Sequence, residues 1–182
     1  MLIRSADTER DAAACAAIYA PYVLDGAVSF EEVAPGAEAM GERMARVTVT
    51  HPWLVAERDA VVAGFAYGSP HRERAAYRWA ADVAVYVDRE HLGHGIGRRL
   101  YAALLPLLRD HGIHVACAGI TLPNDASVGL HESFGFEPVG VYRAIGFKFG
   151  AWRDVGGWQL RLRPATDDGP PADLRASRGT AP

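Results

Sequence analysis

Apolar and polar residues alternate along this chain in short stretches whose period changes, and this pattern predicts a mixed α/β fold. Apolar positions three or four residues apart follow Asp7 or Thr8, which predicts an amphipathic helix capped there. Two apolar runs flank the turn Arg58-Asp59 and predict a β-hairpin. The pattern predicts further strands at residues 2–4, 77–87, 115–121, 137–143 and 152–162, and further helices around 40–47, after Gly95 and after Asn124. Strands outnumber helices, so we expect a mixed sheet with helices on both faces.

Composition indicates one globular domain in a chain of 182 residues, of which 49% are hydrophobic and 23% charged. No apolar run approaches the roughly 20 residues of a membrane span, so no membrane partner is expected. A net charge of −3 argues against a nucleic-acid partner. Cys15 and Cys117 lack a pairing pattern, and no signal peptide is evident, which favours a cytoplasmic protein. We expect the domain over residues 1–164 and a disordered tail over 165–182, where Pro, Gly, Asp and Ala are frequent.

The chemistry is carried by a loop in which glycine occupies every second position, at Gly93, Gly95 and Gly97, between a strand and a helix. Glycine lets the backbone approach a ligand, and a helix N-terminus offers unpaired N–H groups to a phosphate. A P-loop would need Lys-Ser/Thr after the glycines, where Arg98 and Arg99 stand. The spacing also differs from the dinucleotide fingerprint G-x-G-x-x-G. A glycine-rich turn without a ligand remains the alternative.

Many segments of the chain match a known family in order. The residues 92–97, Leu-Gly-His-Gly-Ile-Gly, resemble the signature Q/R-x-x-G-x-G/A of the GNAT superfamily of acyl-CoA N-acyltransferases. Residues 52–57, 64–67, 85–87, 122–125, 127–128, 131–132, 146–148 and 152–156 resemble its phosphinothricin and methionine-sulfone acetyltransferase group. The resemblance covers about residues 3–162. Leu92 departs from the signature, but a grip made by backbone N–H groups does not need that side chain.

The resemblance implies acetyl-CoA as the donor and no metal. It also implies a mostly antiparallel sheet that is splayed between its fourth and fifth strands. The free backbone of the fourth strand would pair with the pantetheine arm, the glycine loop would hold the pyrophosphate, and the next helix start would bind the pantetheine end. The residues expected to bind acetyl-CoA are therefore Val85, Tyr86, Val87, Gly93, His94, Gly95, Ile96, Gly97, Arg98, Asn124 and Ser127.

Two residues are candidates for proton transfer. Acetylation of an amine needs a base for the amine proton and a proton for the leaving sulfur. Asp82 matches the place of the catalytic glutamate of the similar family, although its side chain is one methylene shorter, so a bridging water or a closer acceptor is expected. His131 stands where many GNAT proteins have a tyrosine that protonates the sulfur, and an imidazole can do the same. A strand-end carboxylate and a structural histidine are the alternatives.

Acceptor recognition is expected from the charged loop before the fourth strand. A guanidinium fork fits a carboxylate, so Arg72 and Arg74 are the candidates for binding an anionic acceptor. A solvated charged loop is the alternative. The other residues expected at the acceptor site, besides Asp82, are Phe30, Glu73, Tyr77, Ala84 and Lys148. His91 with His94, and His111 with His114 and Cys117, have poor positions for a metal site.

The function predicted is acetyl-CoA-dependent N-acetylation of a small amino-acid-like amine such as phosphinothricin, methionine sulfoximine or sulfone, or an L-amino acid. Two alternatives are an N-acetyltransferase for peptide or protein N-termini and a CoA-binding module without catalysis. The resemblance also implies a homodimer.

Overall fold

A computed structural model describes residues 1–164, and the predicted tail over 165–182 lies outside the described residues. The strands are β1 (Leu2–Ser5), β2 (Trp53–Arg58), β3 (Val61–Pro70), β4 (Ala80–Val87), β5 (Val115–Leu122), β6 (Glu137–Lys148) and β7 (Ala151–Arg161). The helices are α1 (Thr8–Leu24), α2 (Ala37–Thr48), α3 (Ile96–Asp110) and α4 (Asp125–Glu132). Short 3₁₀ turns cover Ala75–Tyr77 and Arg89–His91.

The seven strands form one sheet in the order β1-β2-β3-β4-β5-β7-β6. All neighbours are antiparallel except β4 and β5, which are parallel. Their pairing begins at Ala80 with Val115 and stops at Asp82 with Cys117, although both strands continue. The sheet therefore splays between β4 and β5 immediately after Asp82. This confirms the predicted mixed, mostly antiparallel sheet and the position of its splay.

Helices cover both faces of the sheet, as predicted, because alternate residues of each strand point to opposite faces. Leu54 and Ala56 of β2 pack in the core that includes the buried face of α3, whose Leu100, Leu104 and Leu108 are fully buried. Trp53 and Val55 of the same strand pack in a second core with residues of α1 and α2. None of the helices among residues 1–164 is long and apolar enough to cross a membrane.

The structure corrects several predicted boundaries. β4 begins at Ala80 rather than at residue 77, because residues 75–77 form a 3₁₀ turn closed by Tyr77 N–H donating to the Arg74 carbonyl. The β2–β3 turn lies at Asp59 and Ala60, both of which have positive φ, so it falls one residue later than predicted. The helix predicted after Gly95 is α3, which contains Pro106 and ends at Asp110.

Candidate functional site

The gap between β4 and β5 is a narrow wedge of about 70 Å³. Ala84, Val85 and Tyr86 line it from β4, and Asn124, Ser127 and His131 line it from α4 and its cap. The structure therefore brings together six of the predicted site residues. Val87 does not line the wedge, and its carbonyl accepts a hydrogen bond from the Tyr22 hydroxyl at 2.6 Å. Val28 and Tyr101 also line the wedge and were not predicted.

The glycine loop leads from β4 into α3, and glycine is needed at its three positions for two different physical reasons. Gly93 and Gly95 have φ of +78° and +72°, a region that disfavours residues with a Cβ. Gly97 packs so close to β4 and α4 that a Cβ there would come within 3.3 Å of Leu130. Gly95 is the N-cap of α3 and no side chain caps it, so the first N–H groups of the helix stay open to a ligand. A phosphate group fits this helix start.

The side chains of His94 in the loop and of Arg98 in the first turn of α3 are engaged within the protein. His94 Nδ1 donates to the Leu92 carbonyl at 2.9 Å, which ties the imidazole to the loop backbone. The Arg98 guanidinium donates to Ser133 Oγ at 3.2 Å and lies over the Phe134 ring. These contacts fix the shape of the loop. A phosphate at this place would therefore be bound by the backbone N–H groups rather than by these side chains.

Asn124 and Ser127 shape the entrance of the wedge through a helix cap. The Asn124 side-chain oxygen accepts from Ser127 N–H at 3.1 Å and so caps α4. That bond uses the amide oxygen and leaves the Asn124 amide N–H groups available at the wedge.

His131 lies at the wall of the wedge with both ring nitrogens bonded. Its Nδ1 is 2.7 Å from the Ser127 carbonyl, which can only accept, so Nδ1 carries the proton. Its Nε2 therefore accepts from the Tyr101 hydroxyl at 2.9 Å. Burial lowers the pKa of His131 despite the bond to Ser127, and burial raises the pKa of Tyr101. His131 and Tyr101 form a neutral, hydrogen-bonded pair, hereafter the Tyr101–His131 pair.

A larger cavity of about 590 Å³ adjoins the wedge, within the usual volume range of small-molecule sites. The cavity and the wedge share Ala118 and Gly119 of β5. Asp82 and Arg72 line the cavity, as do residues that the sequence analysis did not assign to the site: His71, Cys117, Val139, Val141, Tyr142, Val155, Trp158 and Gln159. Two ligands could therefore meet end to end at Ala118 and Gly119.

Asp82 stands at the junction of the cavity and the splay, and it is hydrogen-bonded to His71. His71 Nδ1 lies 2.7 Å from Asp82 Oδ1. Partial burial raises the pKa of Asp82, while the hydrogen bond to His71 and the charge of Arg72 act in the opposite direction. Asp82, His71 and Cys117 form the one cluster of three potential metal-binding residues among residues 1–164. Two members of that cluster already bond each other.

The other residues predicted at the acceptor site do not line the cavity. Ala84 lines the wedge instead. Glu73 and Arg74 are exposed in the loop before the 3₁₀ turn, and the Tyr77 ring lies edge-on to His71 with 5.9 Å between ring centres. Arg74 donates no side-chain hydrogen bond among residues 1–164, whereas Arg72 is close enough to affect Asp82.

Phe30 and Lys148 have structural contacts elsewhere. The Phe30 ring covers Gly146 so closely that a Cβ at that position would overlap it. Lys148 is buried, and its ammonium donates to the carbonyls of Val23, Ser29 and Glu31 at 2.6–2.7 Å. All three of its N–H groups are used, so the structure does not place Lys148 at the acceptor cavity.

Known proteins share this architecture. The sequence profile described as Acetyltransferase (GNAT) domain matches residues 3–155. The chain belongs to the GNAT acetyltransferases. This GNAT chain is 40% identical over 152 residues to the phosphinothricin N-acetyltransferase of Streptomyces viridochromogenes, which spans 84% of this chain and 83% of that protein. It is 36% identical over 163 residues to the L-methionine sulfoximine/L-methionine sulfone acetyltransferase of Salmonella typhimurium, spanning 89% of this chain and 95% of that protein.

A solved structure is similar over nearly the whole length of this GNAT chain. The phosphinothricin acetyltransferase of Sinorhizobium meliloti in complex with AcCoA superposes with a TM-score of 0.90 at 31% identity, covering 97% of this chain and 96% of that one. The family and enzyme class predicted from the sequence are thereby confirmed: this GNAT chain is an N-acetyltransferase.

Proposed function

We propose that this N-acetyltransferase transfers the acetyl group of acetyl-CoA to the amine of a small amino-acid-like acceptor. The observation that carries the proposal is the place of Asp82. It is the last residue of β4 that pairs with β5, so it stands where the strands part. It also lines the larger cavity, which meets the wedge at Ala118 and Gly119. A carboxylate thus lies where the contents of the two spaces would meet.

The wedge and the glycine loop fit acetyl-CoA. Beyond Asp82, the edge of β4 that faces β5 has no partner strand among residues 1–164, so its backbone groups are available to the amides of a pantetheine arm. The open helix start at Gly95–Arg98 suits a pyrophosphate, and the amide N–H groups of Asn124 face the same wedge. When bound, acetyl-CoA supplies the acetyl group as a thioester.

The protein's own residues then handle two protons. An α-amine is mostly protonated at neutral pH, with a reference pKa of about 8. We assign removal of its proton to Asp82 together with His71, which is hydrogen-bonded to that carboxylate. We assign delivery of a proton to the leaving sulfur to the Tyr101–His131 pair. That pair lines the wedge, and the hydroxyl of Tyr101 shares the role that the resemblance implied for His131 alone.

The acceptor class follows from the size and charge of the cavity. A volume of about 590 Å³ holds an amino acid or a close analogue. Arg72, on the cavity wall, can bind a carboxylate or phosphinate. The names of the two relatives, which act on phosphinothricin and on methionine sulfoximine or sulfone, support the same class.

We also propose that the enzyme is a homodimer. β6 is the terminal strand of the sheet, and apolar residues of the β6–β7 hairpin are 42–65% exposed: Val139, Val141, Tyr142, Ile145, Phe147, Phe149 and Trp152. Edge strands with a broad apolar surface favour association. Light scattering should give the mass of two chains for the wild type and for Val33→Glu, an exposed control in another loop, and one chain for Trp152→Glu. A monomeric wild type would refute the dimer.

Free thiols at Cys15 and Cys117 suit a reducing compartment, and we propose the cytoplasm as the location.

A thiol-release assay tests the proposed function. Wild-type protein with acetyl-CoA is presented with methionine sulfone, phosphinothricin, L-amino acids, a peptide with a free N-terminus and an alkylamine without a carboxylate. We expect turnover with the amino-acid-like acceptors and little with the alkylamine. Turnover with the peptide alone would replace the acceptor class. Tight acetyl-CoA binding without release by any amine would instead indicate a binding module.

A further inference from the structure

His71 is placed beside Asp82 by the backbone as well as by its side chain. It follows β3 directly, and its N–H donates to the Ala80 carbonyl at 3.3 Å, which extends the β3–β4 pairing by one step. The side chain then reaches Asp82, where Nδ1 and Oδ1 are 2.7 Å apart. His71 is therefore held by its backbone and by its side chain, and its imidazole still lines the cavity.

The hydrogen bond fixes which ring nitrogen is available. An ionised carboxylate can only accept, so His71 Nδ1 carries the proton and Nε2 has a free lone pair. Nε2 has no hydrogen-bond partner among residues 1–164. An imidazole whose Nδ1–H is held by a carboxylate is oriented to accept a proton at Nε2, as in the His–Asp part of hydrolase triads. The side chain of Asp82 is short, and the imidazole extends the reach of this carboxylate into the cavity.

From this geometry we propose that His71 is the catalytic base of the reaction and that Asp82 is the residue that positions it. The inference rests on the proposed function and refines it. The acceptor ammonium gives one proton to His71 Nε2, which later releases it to solvent. The nitrogen lone pair forms the new C–N bond while the C–S bond breaks and its electron pair stays on sulfur. The sulfur takes one proton from the Tyr101 hydroxyl, which gives up its hydrogen bond to His131 as it does so, and the hydroxyl regains a proton from the acylated nitrogen.

The charged and titratable groups around His71 are compatible with this role. The Asp82 carboxylate on β4 is hydrogen-bonded to the imidazole, and the charge of Arg72 acts on the same carboxylate. Tyr77 contacts the ring of His71 through its edge, and Cys117 of β5 lies near both members of the pair. Tyr142 of β6 lines the same cavity.

Two substitutions separate an imidazole base from a carboxylate base. His71→Gln keeps a donor that can bond Asp82 but has no group to accept the amine proton. His71→Ala opens space that added imidazole can enter. We expect both variants to lower kcat roughly 100-fold or more, with the Kd of acetyl-CoA unchanged. Imidazole in the buffer should restore His71→Ala and leave His71→Gln unaffected. His114→Ala, outside the cavity and the wedge, is the control for the removal of a histidine.

The opposite results overturn the inference. If His71→Gln keeps kcat within about threefold of the wild type, the carboxylate of Asp82 is itself the base. If imidazole fails to restore His71→Ala, His71 has a structural role. Both results require a wild type that acetylates an amine. A wild type that binds acetyl-CoA and acetylates none refutes the proposed function itself, so the two failures are distinguishable.

Discussion

Lys148 is a buried cation that the sequence assigns to the acceptor site and the structure assigns to packing. Its ammonium donates to Val23, Ser29 and Glu31 carbonyls and so joins the end of β6 to α1 and the loop that follows it. Lys148→Met keeps a side chain of similar length and removes the charge. We expect this variant to lose stability and to keep its affinity for the acceptor.

The size of the loss follows from these contacts. Each hydrogen bond to a charged group contributes about 1.5–3 kcal/mol, but the cost of burying the ammonium offsets much of the total. Removing the cation also leaves three carbonyls without a donor. Each buried carbonyl left without a donor costs about 1–3 kcal/mol, and loss of the ammonium recovers its cost of burial, so we expect a net loss of about 3–5 kcal/mol. For a domain of this length, that corresponds to a fall in Tm of roughly 6–20 °C.

Denaturant unfolding and steady-state kinetics of the same protein decide between the two assignments. Arg143→Met is the matched control, because Arg143 lies on the same strand but is 79% exposed in an ion pair with Asp154. Its loss should stay below about 1 kcal/mol. A Lys148→Met protein of wild-type stability whose acceptor KM rises tenfold or more, about 1.4 kcal/mol, would refute the structural role.

Three further predictions concern the glycine loop, the acceptor cavity and the N-terminal ion pair. Gly95→Ala places a Cβ at φ +72°, a strain of about 1–2 kcal/mol, so the KM for acetyl-CoA should rise while the acceptor KM stays constant; an unchanged KM for acetyl-CoA would contradict this. Arg72→Ala should raise the KM of carboxylate-bearing acceptors by roughly tenfold and leave that of an alkylamine unchanged; equal effects on both would remove Arg72 from acceptor recognition. Burial would raise the pKa of Asp11, but the hydrogen bonds from Arg4 and from the Asp7 N–H lower it overall. Ionised Asp11 therefore stabilises the fold above about pH 4, and this contribution is lost as the pH falls further. Asp11→Asn should make the free energy of unfolding depend less on pH in the acid range. An identical pH dependence in the variant and the wild type would contradict the assignment.

Local patterns allowed much of the fold, the cap of α4 and the glycine loop before α3 to be predicted. Asn124 caps α4 through an atom three residues away, and Gly93 and Gly95 carry positive φ in one short loop. Such features depend on neighbours in sequence, so spacing and residue type are enough to indicate them. The splay was implied by the resemblance, because the strands that part are far apart in the chain.

The acceptor side depended on contacts that no local pattern records. His71 bonds a residue eleven positions away, across the β3–β4 pairing, and in sequence it is one histidine among seven. Lys148 donates to carbonyls more than a hundred residues distant. In the sequence, Tyr101 looks like an ordinary core residue of α3. Only the tertiary structure shows that α4 places His131 next to its hydroxyl. In each case the role follows from tertiary packing rather than from periodicity.

The rate of an Asp82→Asn variant tests most directly the claim that acetyl transfer takes place where β4 and β5 part. The amide keeps the shape of the side chain and removes its charge, so the wedge should still bind acetyl-CoA with a wild-type Kd. The account predicts a kcat for amino-acid-like acceptors that is lower by roughly 100-fold or more. A kcat equal to that of the wild type would contradict it.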